Sequence, residues 1–71
     1  KDVPQEIAVL NDYGIMLENR SQYTEALDLY LKALRLSEKQ NDLIGAANAQ
    51  LNIGFVYLSQ DEIDEAYNWF K

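Results

Sequence analysis

Cysteine and histidine are both absent from this 71-residue chain. Without cysteine there is no disulfide and no thiolate chemistry, and the redox compartment is not encoded. Without histidine, the commonest metal ligand and the commonest general base are missing. Basic residues are scarce: six Lys and Arg against twelve Asp and Glu leave a net charge of −6. That balance argues against nucleic acid, whose phosphates call for a basic footprint. No apolar run approaches the roughly 20 residues of a membrane span, and no signal peptide is visible. The compartment therefore stays open, with the cytoplasm favoured. The opening "KDVPQEIA" lacks an initiator methionine, so the expectation is a segment of a longer array. A lone core of this size rarely supplies more than roughly 3–5 kcal/mol without a staple or a partner. β signals are missing too: there is no alternating run, no Asn-Gly turn and no clustered proline.

Helical periodicity fills the space these absences leave. Pro4 suits a first turn, where its missing N–H is not needed. After it, Ile7, Leu10, Tyr13, Gly14 and Leu17 recur at steps of three and four, one face of a helix over about 4–18. "NRSQ" at 19–22 is a polar break, and Thr24 is placed to cap a second helix over about 24–40. Its polar residues Glu25, Asp28, Lys32, Arg35 and Lys39 form one narrow stripe, so the rest must be buried against more than one neighbour. "QNDL" at 40–43 breaks the chain again, with Asp42 as cap of a third helix over about 43–58. "SQDEID" ends that helix, and Asp64 is placed to cap a fourth over about 63–70. The fold class is all-α, four antiparallel helices in helix-turn-helix order.

Gly14 has a twin forty residues later in Gly54, and each is followed twelve residues on by an alanine (Ala26, Ala66) and four further by an aromatic (Tyr30, Phe70). The expected reason is a close crossing, Gly14 facing Ala26 and Gly54 facing Ala66. The packing gained would offset the roughly 0.5–1 kcal/mol that a mid-helix glycine costs. The pattern L-x2-Y-G-x2-L … A-x3-Y, echoed as I-G-x2-Y … A-x3-F, resembles the tetratricopeptide repeat over essentially the whole chain. One repeat is expected over about 4–41, and a second, C-terminally incomplete, over about 42–71. The period is forty where the standard one is 34, and Glu38 stands near where a proline often closes the repeat. "NDLIGAANAQLNIGFVY" is similar to the longer-repeat subgroup, with its D-x-x-G-x-A linker.

No enzyme is expected. No Ser or Thr has a credible activator, and the acids fall on predicted outer faces or caps. "DEIDE" at 61–65 lacks the spacing and glycine of a calcium loop and reads as a solvated helix start, while "NRS" at 19–21 is a chance sequon. The aromatics Tyr13, Tyr23, Tyr30, Tyr57, Tyr67 and Phe70 sit at helical spacing and read as hairpin core. No cofactor or metal is expected. The resemblance implies a scaffold that takes a protein or peptide on the concave side lined by the first helix of each hairpin. Subtracting the core face leaves Asn11 and Ile15 on the first helix and Asn48, Leu51, Asn52, Phe55 and Leu58 on the third as candidate contacts. Phe55 is expected to point away from the Gly54 crossing. Clamp-type relatives grip a terminal carboxylate with Lys and Arg on this face; none stands here, so that specificity is rejected. The strip could equally be packing surface for the next turn of a superhelix. The alternative role is a spacer or self-associating segment, through Tyr67, Trp69 and Phe70 in the uncovered last helix.

Overall fold

The computed structural model describes residues 3–71, with side chains from Gln5 onward. Four helices follow one another: α1 Val3–Asn19, α2 Tyr23–Lys39, α3 Leu43–Ser59 and α4 Ile63–Phe70. They begin at 3, 23, 43 and 63, so the forty-residue repeat is built from two steps of twenty. The expected boundaries hold to within a residue at each end. Among the described residues there is no strand.

The turns explain the regular step. Ser21, Asn41 and Asp61 each take a left-handed backbone, with φ of 63°, 57° and 61°. Around each, the chain closes the preceding helix the same way. Ser21 N–H donates to Glu18 C=O at 2.9 Å and Gln22 N–H to Leu17 C=O at 2.9 Å. The next turn repeats this with Asn41 to Glu38 and Asp42 to Ser37, and the last with Asp61 to Leu58 and Glu62 to Tyr57. These are Schellman closures, which satisfy the terminal carbonyls of a helix. None uses the glycine that usually occupies the left-handed position.

Helix starts are less uniform. Asp42 caps α3 as expected, its Oδ1 accepting the Gly45 N–H at 2.9 Å. Thr24 and Asp64 do not cap. Gln22 and Glu62 hold the cap positions without a side-chain bond, and Asp64 lies in the first turn of α4. The left-handed residue, one step earlier, fixes where each helix can begin, and that places the cap two residues ahead of Thr24 and Asp64.

The helices pack in sequence, α1 on α2, α2 on α3, α3 on α4, with α1 also touching α3. The narrow-striped α2 is thus held between two neighbours, as its composition requires. The molecule is a slab of 37 × 26 × 13 Å, too thin to bury more than one face of most helices. Its core joins Ile7, Ala26, Tyr30, Ala33, Leu34, Ala49, Ile53 and Val56.

The glycine crossings differ from expectation in their partner. A Cβ on Gly14 would lie 2.5 Å from Cε1 of Tyr30, and one on Gly54 would meet Cε1 of Phe70 closer still. Each glycine therefore faces the aromatic ring sixteen residues on, not Ala26 or Ala66. The alanines are buried beside the crossings and let the backbones approach, while the ring takes the space left by the missing side chain. Of the six aromatics read as core, Tyr30 is fully buried and Tyr23 and Tyr57 partly, but Tyr13 and Tyr67 are exposed, and Phe70 stays 39% exposed although one edge covers Gly54. A face that would be core within an array is open in so thin a slab.

Candidate functional site

The 20-residue step brings α1 and α3 side by side, and the gap between them is a groove of about 330 Å³. It is lined by Ala8, Asn11, Asp12 and Ile15 from α1 and by Asn48, Leu51, Asn52 and Phe55 from α3. Each α1 residue has its α3 counterpart forty positions later. A helix turns 3.6 residues per turn, so residues at steps of three and four rise along one face. The repeat then sets two such faces edge to edge.

Six of the seven residues singled out from sequence, Asn11, Ile15, Asn48, Leu51, Asn52 and Phe55, meet in this groove. Leu58 is exposed but lies outside it. Ile15, Leu51 and Phe55 are half-exposed and give an apolar floor. Asp12 is the one charged side chain in the lining, and no Lys or Arg takes part. The groove can therefore hold apolar side chains and exchange amide hydrogen bonds, and it offers no cation to an anionic group.

Two contacts were not legible beforehand. Asn52 Nδ2 donates to Asn11 Oδ1 at 3.4 Å, a long bond across the base of the groove, and Asn11 is buried. Asn11 thus ties α1 to α3, leaving Asn48 and the second amide hydrogen of Asn52 for a ligand. The signal was the pair of amides forty-one residues apart in a forty-residue repeat. Phe55 also departs from expectation. Its ring meets Phe70 edge-on, with centroids 5.3 Å apart and planes at 62°. Phe70 covers Gly54 as well, so Phe55 does not stand clear of that crossing; it is coupled to α4 through Phe70.

At the other end, Trp69 packs against the core and Tyr67 is exposed, the Lys71 ammonium 5.3 Å from its ring centre. Behind the groove, Tyr30 donates its hydroxyl to Glu18 Oε1 at 2.9 Å. Burial, then the bond to Glu18 and the charge of Glu18, all push the Tyr30 hydroxyl above the usual tyrosine range. Among the described residues no group of three or more acids is placed to hold a metal ion, and no helix is long and apolar enough to cross a membrane.

Comparison with known proteins agrees with this geometry. The chain is 29% identical over 62 residues to a Drosophila melanogaster protein named tetratricopeptide repeat protein 19 homolog, mitochondrial. The match covers 87% of this chain and 17% of that relative, so the chain spans a small part of its length. No solved structure gave a significant match. The family model for the tetratricopeptide repeat matches residues 5–71. Two antiparallel helix pairs, glycine crossings at matching places and that match over nearly the full length agree: the chain belongs to the tetratricopeptide repeat family.

Proposed function

We propose that this chain is a non-enzymatic scaffold segment that binds an extended peptide of a partner protein in the α1/α3 groove. The observation that supports this most is that six candidate side chains from two helices line one open groove. Ile15 and Leu51 would anchor an apolar side chain, and Asn48 with Asn52 would bond the peptide backbone. With Asp12 in the lining and a chain charge of −6, the groove prefers an uncharged or mildly basic peptide. Charge would set the choice of partner and the association rate, while the apolar anchor supplies affinity. The forty-residue period and the D-x-x-G-x-A linker at Asp42, Gly45 and Ala47 support the longer-repeat subgroup, with repeats over about 4–41 and 42–71.

The test is a titration of the chain against short synthetic peptides in three sets, uncharged, basic and acidic, each carrying one large apolar residue. Ile15→Ala and Leu51→Ala are the informative variants, because Phe55→Ala would also disturb Phe70. Uncharged or basic peptides should bind best, and each substitution should weaken them by roughly 1–3 kcal/mol. A preference for acidic peptides, or affinities unchanged by both substitutions, would leave the groove as packing surface.

A further inference from the structure

The chain's few cations are not spread evenly. Three of its six Lys and Arg, Lys32, Arg35 and Lys39, share one wall of a second groove, on the α1/α2 seam. Its volume is about 330 Å³, and Glu6, Leu10 and Leu36 complete the lining. Leu10 and Leu36 are half-buried against the core and form an apolar floor beneath the charges. Glu6 is the only acid in the lining; Asp28 and Glu38 flank the cluster on α2 outside it. Helix stability does not account for this cluster. Lys39 stands in the last turn of α2, where the macrodipole favours a cation, but that effect fades within the turn, before Arg35 and Lys32. Like charges at steps of three and four repel along a helix, so the three together cost stability. The groove also stays reachable beside a preceding helix. α2 rests on α3 and, among the described helices, does not touch α4. By the forty-residue register, a helix seated on α1 in the same way leaves α2, which carries the charges, untouched. The register carries Leu10 onto Gln50, which is exposed with α2 already in place beside α3.

We propose that this groove binds a short acidic segment of a partner protein, with one apolar side chain seated between Leu10 and Leu36. The argument is charge complementarity. A chain of net charge −6 repels acidic partners at long range, yet it gathers three cations around an apolar floor here. Arg35 can take a carboxylate on both prongs of its guanidinium, and Lys32 and Lys39 act as point charges on either side. Lys32 and Lys39 are two helical turns apart, about 10 Å along the axis. An extended peptide spans that distance in about three residues, so two acids at that spacing, with an apolar residue between them, fit the wall and the floor together. A flat anionic membrane fits less well, because it would meet the chain's excess acids along with the cluster. The α1/α3 groove holds Asp12 and no cation, so the two surfaces select opposite charge, and either reading can fail alone.

Fluorescence anisotropy of the 71-residue chain with a labelled peptide tests it. The probe carries two aspartates about three positions apart and one leucine between them, matched to the span of the wall. Lys32→Glu with Arg35→Glu should weaken binding about tenfold or more, through the loss of charge-assisted bonds. Arg20→Glu with Lys71→Glu makes the same change of net charge outside the lining. At about 0.15 M salt, where separated exposed charges are largely screened, it should change the affinity by about twofold at most. All four side chains are exposed, so helicity by circular dichroism should be kept; if the groove variant loses it, Lys32→Gln with Arg35→Gln reads the same wall. Exchanging the probe's leucine for serine should also weaken binding, which charge attraction alone would not do. Ile15→Ala and Leu51→Ala should leave the acidic probe unaffected. In the Lys32→Glu, Arg35→Glu chain the α1/α3 groove is the one peptide site left, so its own preference is read there without interference. No saturable binding, equal losses in the two charge variants, a loss with Ile15→Ala, or binding of phosphatidylserine vesicles in place of the peptide would overturn the proposal.

Discussion

At the scale of single residues, the two glycine crossings look alike in sequence and differ in what surrounds them. Tyr30, over Gly14, is fully buried and tied to Glu18, so it has nowhere to go. Phe70, over Gly54, is the last helical residue of α4 and partly exposed, so its ring can swing outward. Gly14→Ala should therefore lower stability by about 1–2 kcal/mol, the cost of overpacking less the helical gain of alanine. Gly54→Ala should stay within about 0.5 kcal/mol of wild type, because the same helical gain meets a ring that yields. Parallel thermal melts check the order; equal losses would mean that Phe70 is held as firmly as Tyr30. Tyr30 carries a second consequence. Its hydroxyl is raised in the folded chain, so the neutral form is favoured there. The stability this contributes is full below the unfolded pKa near 10 and is lost as pH rises above it, by at most about 1.4 kcal/mol per pH unit. Tyr30→Phe should cost about 1 kcal/mol at neutral pH and should flatten this alkaline loss, as read by denaturant titration at pH 8 and above.

At the scale of elements, the turns rather than the helices hold the unused stability. A left-handed residue other than glycine costs roughly 1–2 kcal/mol, less for asparagine and aspartate, whose short polar side chains tolerate it. Ser21→Gly should raise stability by about 0.5–1 kcal/mol once the greater freedom of unfolded glycine is subtracted. Asn41→Gly and Asp61→Gly should each do less. Chemical denaturation of the three variants measures this, and a loss at Ser21 would show the turn relaxed there. These same turns mark how far the sequence could be read. Periodicity in α1 to α4 and the polar breaks placed every helix, because core burial writes itself at three- and four-residue steps. Thr24 and Asp64 misled because good capping chemistry does not reveal which residue turns left-handed, and Ser21 is a poor advertisement for that backbone. The aromatic partners of Gly14 and Gly54 were in the pattern, yet size alone cannot say whether a ring or a methyl fills a crossing. The groove was legible as a face left over from core packing. The Asn11–Asn52 bond and the Phe55–Phe70 pair were not, because they depend on distances between faces.

At the scale of the whole molecule, the order of contacts is the order of the chain. α4 touches α3 alone among the described helices, and no contact joins α4 to α1 or α2. Nothing then locks the two ends to each other, and unfolding need not be all-or-none. Amide exchange should grade along the sequence: slowest in α2, held on both sides, and fastest in α4, which can peel from α3 while the rest stays folded. Hydrogen exchange read by mass spectrometry would show this gradient, and uniform protection across the four helices would contradict it. Because each helix meets mostly its sequence neighbours, the search for native contacts is short-range and refolding should be fast. The peeling also bears on recognition. Phe55 reaches α4 through Phe70, so a ligand that seats against Phe55 would slow the fraying of the far end. A stiffened C-terminus would then report an occupied groove from outside it.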